Sequence, residues 1–238
     1  MPKITDIFAR QILDSRGNPT IEANVILDNG LRAVASVPSG ASKGRHEAFE
    51  LRDGESSFQG LGVLKAIDNI KNKIKPALTG IDIRNQQQID QIMLSVDGTE
   101  NKSHLGANSI LAVSLAACRA AADSLKLPLY KYISALTGKD KKIKSITPLF
   151  NVINGGLHGS GKFNFQEFMI IPDPSVSFNK SLQMGVELYH QLKAQLKKKG
   201  LNCSIGDEGG FTPNLSTNEE SRGSQIQTQM NVAPVFIF

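Results

Sequence analysis

The segment ITDIFARQILDSRGNPTIEANVILDNGLRAVASVP, residues 4–38, predicts a meander of three strands at the start of the chain. In its middle part the apolar residues alternate with more polar ones, the period of a half-buried strand: Ile21, Ala23, Val25 and Leu27. The turns agree, since SRGNP follows the first strand and DNG at residues 28–30 is a strong hairpin signal. A meander buries one face, so we expect helices to cover it.

Three helices are predicted after the meander. Apolar residues recur at helical spacing over residues 63–78, and a second amphipathic stretch lies near residues 86–94. A third stretch, residues 107–125, is rich in alanine, which suits close packing against a helix or a sheet. Residues 1–138 are therefore predicted to form a complete α+β domain.

The pattern changes after the lysine-rich segment KDKKIK, residues 139–144, which we interpret as a linker. TPLFNVING and FQEFMIIP predict strands, and residues 202–211, NCSIGDEGGF, predict a strand ending in a turn. A long helix is predicted over residues 177–200, with one apolar face: Leu182, Val186, Tyr189, Leu192 and Leu196. Strands and a helix with polar residues at strand ends indicate a β/α barrel, but a closed barrel takes about 250 residues. We therefore expect residues 139–220 to form only its first part.

The last segment, residues 221–238, differs in composition from the rest. It contains no Asp, Glu, Lys or His, and Arg222 is its one charged residue. Before it, LSTNEE at residues 215–220 has the signature of a helix N-terminus, yet no amphipathic helix follows. We expect an interrupted reading frame after about Glu220, a hypothesis that resequencing would overturn by finding the frame intact.

Composition excludes several other classes of protein. No apolar run is long enough for a membrane span, and the charged N-terminus is unlike a signal peptide. Cys118 and Cys203 lie far apart, which favours a reducing cytosol over a disulfide framework. The net charge of +5 is concentrated in lysine clusters without aromatic neighbours, so we expect no nucleic-acid binding.

Two glycine-bounded segments carry candidate functional side chains. SGASKG, residues 39–44, is either a plain flexible loop or a mobile lid whose central Ser42 offers an oxygen ligand to a metal or phosphate. NGGLH, residues 154–158, places His158 after two glycines at a strand end, where barrel enzymes keep their chemistry. The alternative for His158 is a structural histidine.

Two further segments supply carboxylates. Glu167, next to Gln166, interrupts the apolar run of FQEFMIIP, and an ionised carboxylate in such a run needs a partner. GDEGGF places Asp207 and Glu208 between glycines at another strand end. Solvated acids on a strand and in a tight turn are the alternative interpretation. If Glu167 and Glu208 share a hydrogen-bond network, one of them suits the role of general acid.

These four segments, in this order, closely resemble the enolase family. DSRGNPTIEANV, SHLGANSILAVSLAACRAAA and TPLFNVINGG are similar to the same family, and the resemblance runs from Ile4 to about Glu220. Muconate-type cycloisomerases, the nearest alternative, lack this N-terminal sequence. The resemblance implies an α+β N-terminal domain, with a three-stranded meander plus helices, followed by an incomplete enolase-type β/α barrel.

The implied activity is that of a glycolytic lyase, the reversible dehydration of 2-phosphoglycerate to phosphoenolpyruvate with two Mg²⁺ ions. Glu208 matches the general acid and Glu167 the carboxylate that assists it and contacts substrate. His158 and Gln166 match substrate-binding residues, and Ser42 matches the loop ligand of the second metal. Asp207, which neighbours Glu208, is expected to orient the turn.

The chain also departs from the family pattern. The lysine base, the three carboxylates of the first metal and the phosphate-binding residues have no counterpart here, so we expect the chain to be inactive alone. The alternative is a noncatalytic fragment that acts as a binding or dimerisation domain. The resemblance further implies a homodimer and a cytoplasmic location, with cell-surface or secreted forms also known in the family.

Overall fold

The computed structural model describes residues 1–40, 44–54, 56–138, 146–156, 165–206, 208–215 and 217, and the backbone of 232–237. The chain divides into two compact units. The first unit spans Met1–Lys141 and the second spans Lys142–Phe238.

The first unit contains the predicted meander. Strands β1 (Ile4–Leu13), β2 (Pro19–Leu27) and β3 (Arg32–Ser36) form one antiparallel sheet in that order. The four alternating residues of β2 are all buried, as their spacing predicts. Gly30 has a φ of +80° and its N–H donates to the Leu27 carbonyl at 3.0 Å, so the DNG turn closes the second hairpin.

Helices cover the sheet of the first unit. They are α1 (Leu64–Asn69), α2 (Lys75–Leu78), α3 (Gln86–Asp97), α4 (Ala107–Ser124) and α5 (Leu129–Leu136). A π-helical stretch, Ile70–Ile74, joins α1 to α2, so the single predicted helix carries a local widening. The small α5, entered through Pro128, is absent from the sequence prediction.

Helix α4 packs against β2 and β3, as its alanine content suggests. Its buried side chains are mostly methyl groups, which let the helix axis approach the sheet closely: Ala112, Ala116, Ala117, Ala120, Ala121 and Ala122.

The second unit contains strands β4 (Phe150–Asn154), β5 (Glu167–Pro172) and β6 (Val232–Ile237) and helix α6 (Phe178–Lys198). Its sheet has the order β4-β5-β6, and both pairs are antiparallel. The described residues of this unit form no closed barrel. The strand predicted within residues 202–211 is wrong, because Ile205 and Phe211 make only isolated bridges around a glycine-rich turn.

The buried face of α6 differs from the predicted one. Leu182 and Val186 are 45% and 47% exposed. The buried residues lie one position earlier in the first half of the helix: Ser181, Gly185, Leu188, Leu192 and Leu196. The shift occurs because the Phe150 ring occupies the space beside Gly185, where a Cβ would lie 2.3 Å from Phe150 Cζ.

Candidate functional site

The candidate site in the second unit starts from the pairing of β4 with β5. Asn154 ends β4, and its Cα partner in the ladder is Glu167, the first residue of β5. Phe168 and Ile170 of β5 are buried, while the alternate positions Glu167 and Met169 are only half-buried. The alternation places the Glu167 side chain on the face opposite the apolar core.

A glycine turn, residues 206–210, lies against the end of β4. The turn closes through a hydrogen bond from Gly206 N–H to the Gly210 carbonyl at 2.8 Å. It is held to β4 by Phe211, whose N–H donates to the Val152 carbonyl and whose carbonyl accepts from Asn154 N–H, both at 2.9 Å. These bonds place Glu208, within the turn, beside the end of β4.

An aromatic pair packs beside the glycine turn and is hydrogen-bonded to it. Phe211 is fully buried and stacks on Tyr189 of α6, with ring centroids 4.4 Å apart. The Tyr189 hydroxyl donates to the Gly209 carbonyl at 2.9 Å. Burial raises the pKa of Tyr189 above its ordinary value of 10.0, so the hydroxyl stays a proton donor at neutral pH.

Asn154 connects the two carboxylate-bearing segments. It faces Glu167 across the ladder, and its Nδ2 donates to Glu208 Oε2 in a long hydrogen bond of 3.4 Å. Glu208 itself is exposed, whereas Asn154 is 0% exposed. Asn154 is thus the ladder partner of Glu167 and contacts the side chain of Glu208.

The oxygen of the same amide is unsatisfied. Asn154 Oδ1 is buried and finds no hydrogen-bond partner among the described residues. Leaving a buried acceptor unpaired costs about 1–3 kcal/mol. The neighbouring Asn151 has both amide atoms in the same condition within the described part of the chain. The end of β4 therefore carries polar groups that packing alone does not require.

Two glycines make room for this amide. A Cβ on Gly210 would lie 2.5 Å from Asn154 Oδ1 and 2.8 Å from Asn151 Oδ1. A Cβ on Gly206 would lie 3.1 Å from Asn154 Oδ1. Glycine is required at residue 210 because the turn backbone passes directly over both amides.

The remaining residues predicted from the sequence are Gln166, Ser42, His158 and Asp207. Gln166 precedes β5, its side chain half-buried, and its carbonyl accepts from Gly155 N–H at 2.9 Å. Ser42, His158 and Asp207 lie outside the described residues. Sequence reasoning did not single out Asn154, although a polar residue closing the apolar strand FNVIN was a usable signal.

The described residues do not build a metal centre by themselves. Among them, no three His, Cys, Asp or Glu side chains are grouped so as to hold a metal ion. Magnesium prefers carboxylate and other oxygen ligands in an octahedral arrangement. The Glu167 and Glu208 carboxylates supply oxygens of the right kind, but not a complete set.

The fold and the site together define a class: a two-domain protein with an α+β N-terminal domain and an open part of a β/α barrel, which carries one glutamate at a strand end and one in a glycine turn. The family model of the enolase N-terminal domain matches residues 4–133, and that of the enolase C-terminal TIM barrel domain matches residues 143–233. The chain belongs to the enolase family. Members of this family are in general Mg²⁺-dependent lyases of glycolysis.

In the described ranges, no helix combines the length and the apolar character needed to cross a bilayer.

Proposed function

We propose that the chain carries part of the active site for the reversible dehydration of 2-phosphoglycerate to phosphoenolpyruvate. One observation supports this proposal above the others: Asn154 pairs with Glu167 in the ladder and donates to Glu208. An elimination of water needs a group that protonates the leaving hydroxyl, and a carboxyl group such as that of Glu208 suits that task.

In the proposed reaction, Glu208 is the general acid. Its proton passes to the C3 hydroxyl, the C3–O bond breaks and water leaves, while Glu208 becomes a carboxylate. Glu167 assists from the start of β5 and contacts the substrate. Gln166 and His158 are proposed to bind the substrate, and Ser42 to supply an oxygen to the second Mg²⁺.

The remaining parts of the proposal come from the family. Bound Mg²⁺, towards which Ser42 would contribute an oxygen, would stabilise the negative charge that develops on the substrate once a base outside the described site takes the C2 proton. The lysine base and the carboxylates of the first metal have no counterpart in this sequence, so we propose that the chain alone has little or no activity. We further propose a homodimer in the cytoplasm as the working form.

Turnover of 2-phosphoglycerate by the purified 238-residue chain tests this proposal. The assay uses excess Mg²⁺ and follows the ultraviolet absorbance of the enol product. Glu208→Gln reveals contaminating host enzyme, and Glu187→Gln, on the exposed face of α6, is the matched control. We expect no turnover beyond the Glu208→Gln background from the chain alone. Turnover that Glu208→Gln abolishes and Glu187→Gln retains would place the missing base elsewhere in this chain or in a second copy.

A measurement of substrate binding can contradict the assignment of Glu167 to the site. We expect calorimetry to show weak binding of 2-phosphoglycerate in the presence of Mg²⁺, because the phosphate-binding residues of the family have no counterpart here, and still weaker binding by the Glu167→Gln variant. Equal binding by wild type and Glu167→Gln would contradict the proposed role of this carboxylate.

The second candidate function is a noncatalytic dimerisation or binding domain. It is favoured by apolar side chains on α5, where Tyr130, Ile133 and Leu136 are 56%, 47% and 45% exposed. Sedimentation of the chain and of an Ile133→Glu variant distinguishes the outcomes. A dimer that dissociates in the variant supports this function, and a monomer in both proteins rules it out for this surface.

A further inference from the structure

Asn154, at the end of β4, is a fully buried polar residue. Among the described residues its amide has one hydrogen-bond partner, Glu208 Oε2, and its Oδ1 has none. Buried polar groups are normally satisfied, and an apolar side chain of similar volume avoids an unpaired oxygen. Within the described part of the chain, the hydrogen bond to Glu208 is the contact that asparagine provides here and an apolar residue does not.

We propose that Asn154 is a positioning residue that engages Oε2 of Glu208 and so leaves Oε1 as the oxygen that carries and releases the proton. This inference rests on the proposed function of Glu208 as general acid. A carboxyl oxygen that accepts an N–H hydrogen bond has its lone pair engaged and is the less basic of the two. The proton accordingly binds the other oxygen.

The consequence for the reaction follows from where the proton goes. The Oε1–H bond of Glu208 breaks and the proton passes to the C3 hydroxyl, which departs as water with the electrons of the C3–O bond. The electron pair of the enediolate forms the C2–C3 double bond, so charge and atoms balance. The hydrogen bond from Asn154 Nδ2 to Oε2 is kept in both protonation states. Glu208 therefore keeps its orientation while it gains and loses the proton.

The backbone around Asn154 fixes the reach of its amide. Phe211 directly follows the turn that carries Glu208, and its carbonyl accepts a hydrogen bond from Asn154 N–H at 2.9 Å. The backbone of Gly210 lies over Oδ1, so the amide is confined on that side. The backbone of Asn154 is thus bonded to Phe211, and its side chain is bonded to Glu208, the residue that it is proposed to position.

Other titratable groups lie near Asn154 and Glu208, and a test must distinguish their effect on Asn154 from the effect of Glu208. Glu167 faces Asn154 across the ladder, and the Tyr189 hydroxyl donates to Gly209 next to Glu208. Asp207, the other neighbour of Glu208 in sequence, lies outside the described residues. Tyr189 stays protonated at neutral pH, so Glu167 and Asp207 are the groups that each need a variant.

The side-chain Nδ2 resonance of Asn154 in the ¹⁵N-labelled full chain is the direct readout. We expect it to move with pH in wild type, because the acceptor changes charge, and to lose this movement in Glu208→Gln. Glu187→Gln is the matched control, since Glu187 is also exposed and also accepts from an amide, Gln183 Nε2 at 2.6 Å. Movement that persists in Glu208→Gln, or that disappears in Glu187→Gln, overturns the proposal.

Two further variants assign the movement to one carboxylate. It should persist in Glu167→Gln and in Asp207→Asn, and its loss in either would mean that Asn154 serves that group instead. The readout requires no turnover. A negative spectroscopic result therefore overturns the positioning role while leaving the proposed reaction in place. Absent substrate binding with a positive spectroscopic result overturns the reaction alone.

Discussion

Gly185 lies directly against the ring of Phe150. A Cβ added to Gly185 would fall 2.3 Å from Phe150 Cζ and 2.4 Å from Cε2, so the ring occupies the place of a side chain. This contact joins α6 to β4 and determines which face of the helix is buried. Phe150 belongs to the same short strand as Asn154, so the packing of α6 also supports the candidate site.

Substituting Gly185 by Ala should destabilise the second unit. Alanine favours the helix by about 1 kcal/mol, but forcing a methyl group into the ring costs about 1–3 kcal/mol, so a net loss of up to about 2 kcal/mol is expected. Hydrogen exchange of α6 measures it. In a Phe150→Leu background the same substitution should cost less, and an equal cost there would show that the ring is not the obstacle.

The turn that carries Glu208 should respond unequally to its two glycines. Gly210→Ala puts a Cβ 2.5 Å from Asn154 Oδ1 and 3.0 Å from the Ile153 carbonyl carbon, so we expect a loss of about 1–3 kcal/mol. Gly206→Ala meets its nearest atom at 3.1 Å and should cost distinctly less. Urea denaturation followed by circular dichroism ranks the two variants. The reverse order would contradict the position of the turn over Asn154.

Arg52 should be far more important to stability than another arginine with an equally short ion pair. Its guanidinium donates to Glu50 Oε1 at 2.7 Å, to the Pro19 and Leu61 carbonyls at 2.6 Å each, and to Ser39 Oγ at 2.9 Å, and its side chain is 13% exposed. Lysine cannot serve these separated acceptors from one nitrogen, so Arg52→Lys should cost about 2–3 kcal/mol.

The matched control for Arg52 is Arg10→Lys. Arg10 also forms a 2.7 Å pair, with Glu22, but its side chain is 66% exposed. Exposed pairs contribute about 0–1 kcal/mol, so this variant should melt close to wild type. Comparable losses in the two variants, measured by thermal melting, would mean that burial is not the deciding factor.

Asp97 should make the stability of the first unit depend on pH. It is 3% exposed and accepts hydrogen bonds from Leu105 N–H at 2.6 Å, from Thr99 N–H at 3.0 Å and from the Thr99 hydroxyl. Burial by itself raises the pKa of Asp97, but these hydrogen bonds together outweigh it and hold the pKa below the ordinary value of 3.8. The folded state therefore favours the ionised form.

Because the folded pKa of Asp97 is depressed, its contribution is fully present above the unfolded value and is lost as pH falls through the folded one. Asp97→Asn should lower the free energy of unfolding at pH 7 by about 1–3 kcal/mol. The gap to wild type should narrow below pH 3.8. Urea titrations at pH 7 and at low pH measure it, with the exposed Asp68→Asn as control. A gap that stays constant with pH would refute the role of the charge.

Much of the first unit could be predicted from local patterns. The alternation in β2 identifies its buried face because side chains in a strand point to opposite sides in turn. The DNG turn needs a positive φ at Gly30, which glycine adopts without strain. These features depend on residues that are close in sequence. The π-helical stretch and α5 escaped prediction, because one is a small change in hydrogen bonding and the other is short.

The second unit shows where local patterns stop being sufficient. Apolar spacing predicts that Leu182 and Val186 face the core, yet the small residues Ser181 and Gly185 are buried there because Phe150 fills the space. Helical periodicity identifies an amphipathic helix, but the element that packs against the helix determines which row of its side chains is buried. The partner that selects this row lies on a strand distant in sequence.

The candidate site likewise has features that follow from the sequence and others that follow only from tertiary contacts. The sequence by itself determined the residue types, Glu167 within an apolar run and Glu208 beside a glycine, and the family resemblance that the domain matches later established. Only the tertiary structure decided that Asn154 lies between their two segments, buried and with an unpaired oxygen. Chemical identity is a property of each residue, whereas proximity depends on strand register and on a turn folded back from about fifty residues away. A hydrogen-bonding partner such as Asn154 therefore becomes recognisable only after the chain has folded.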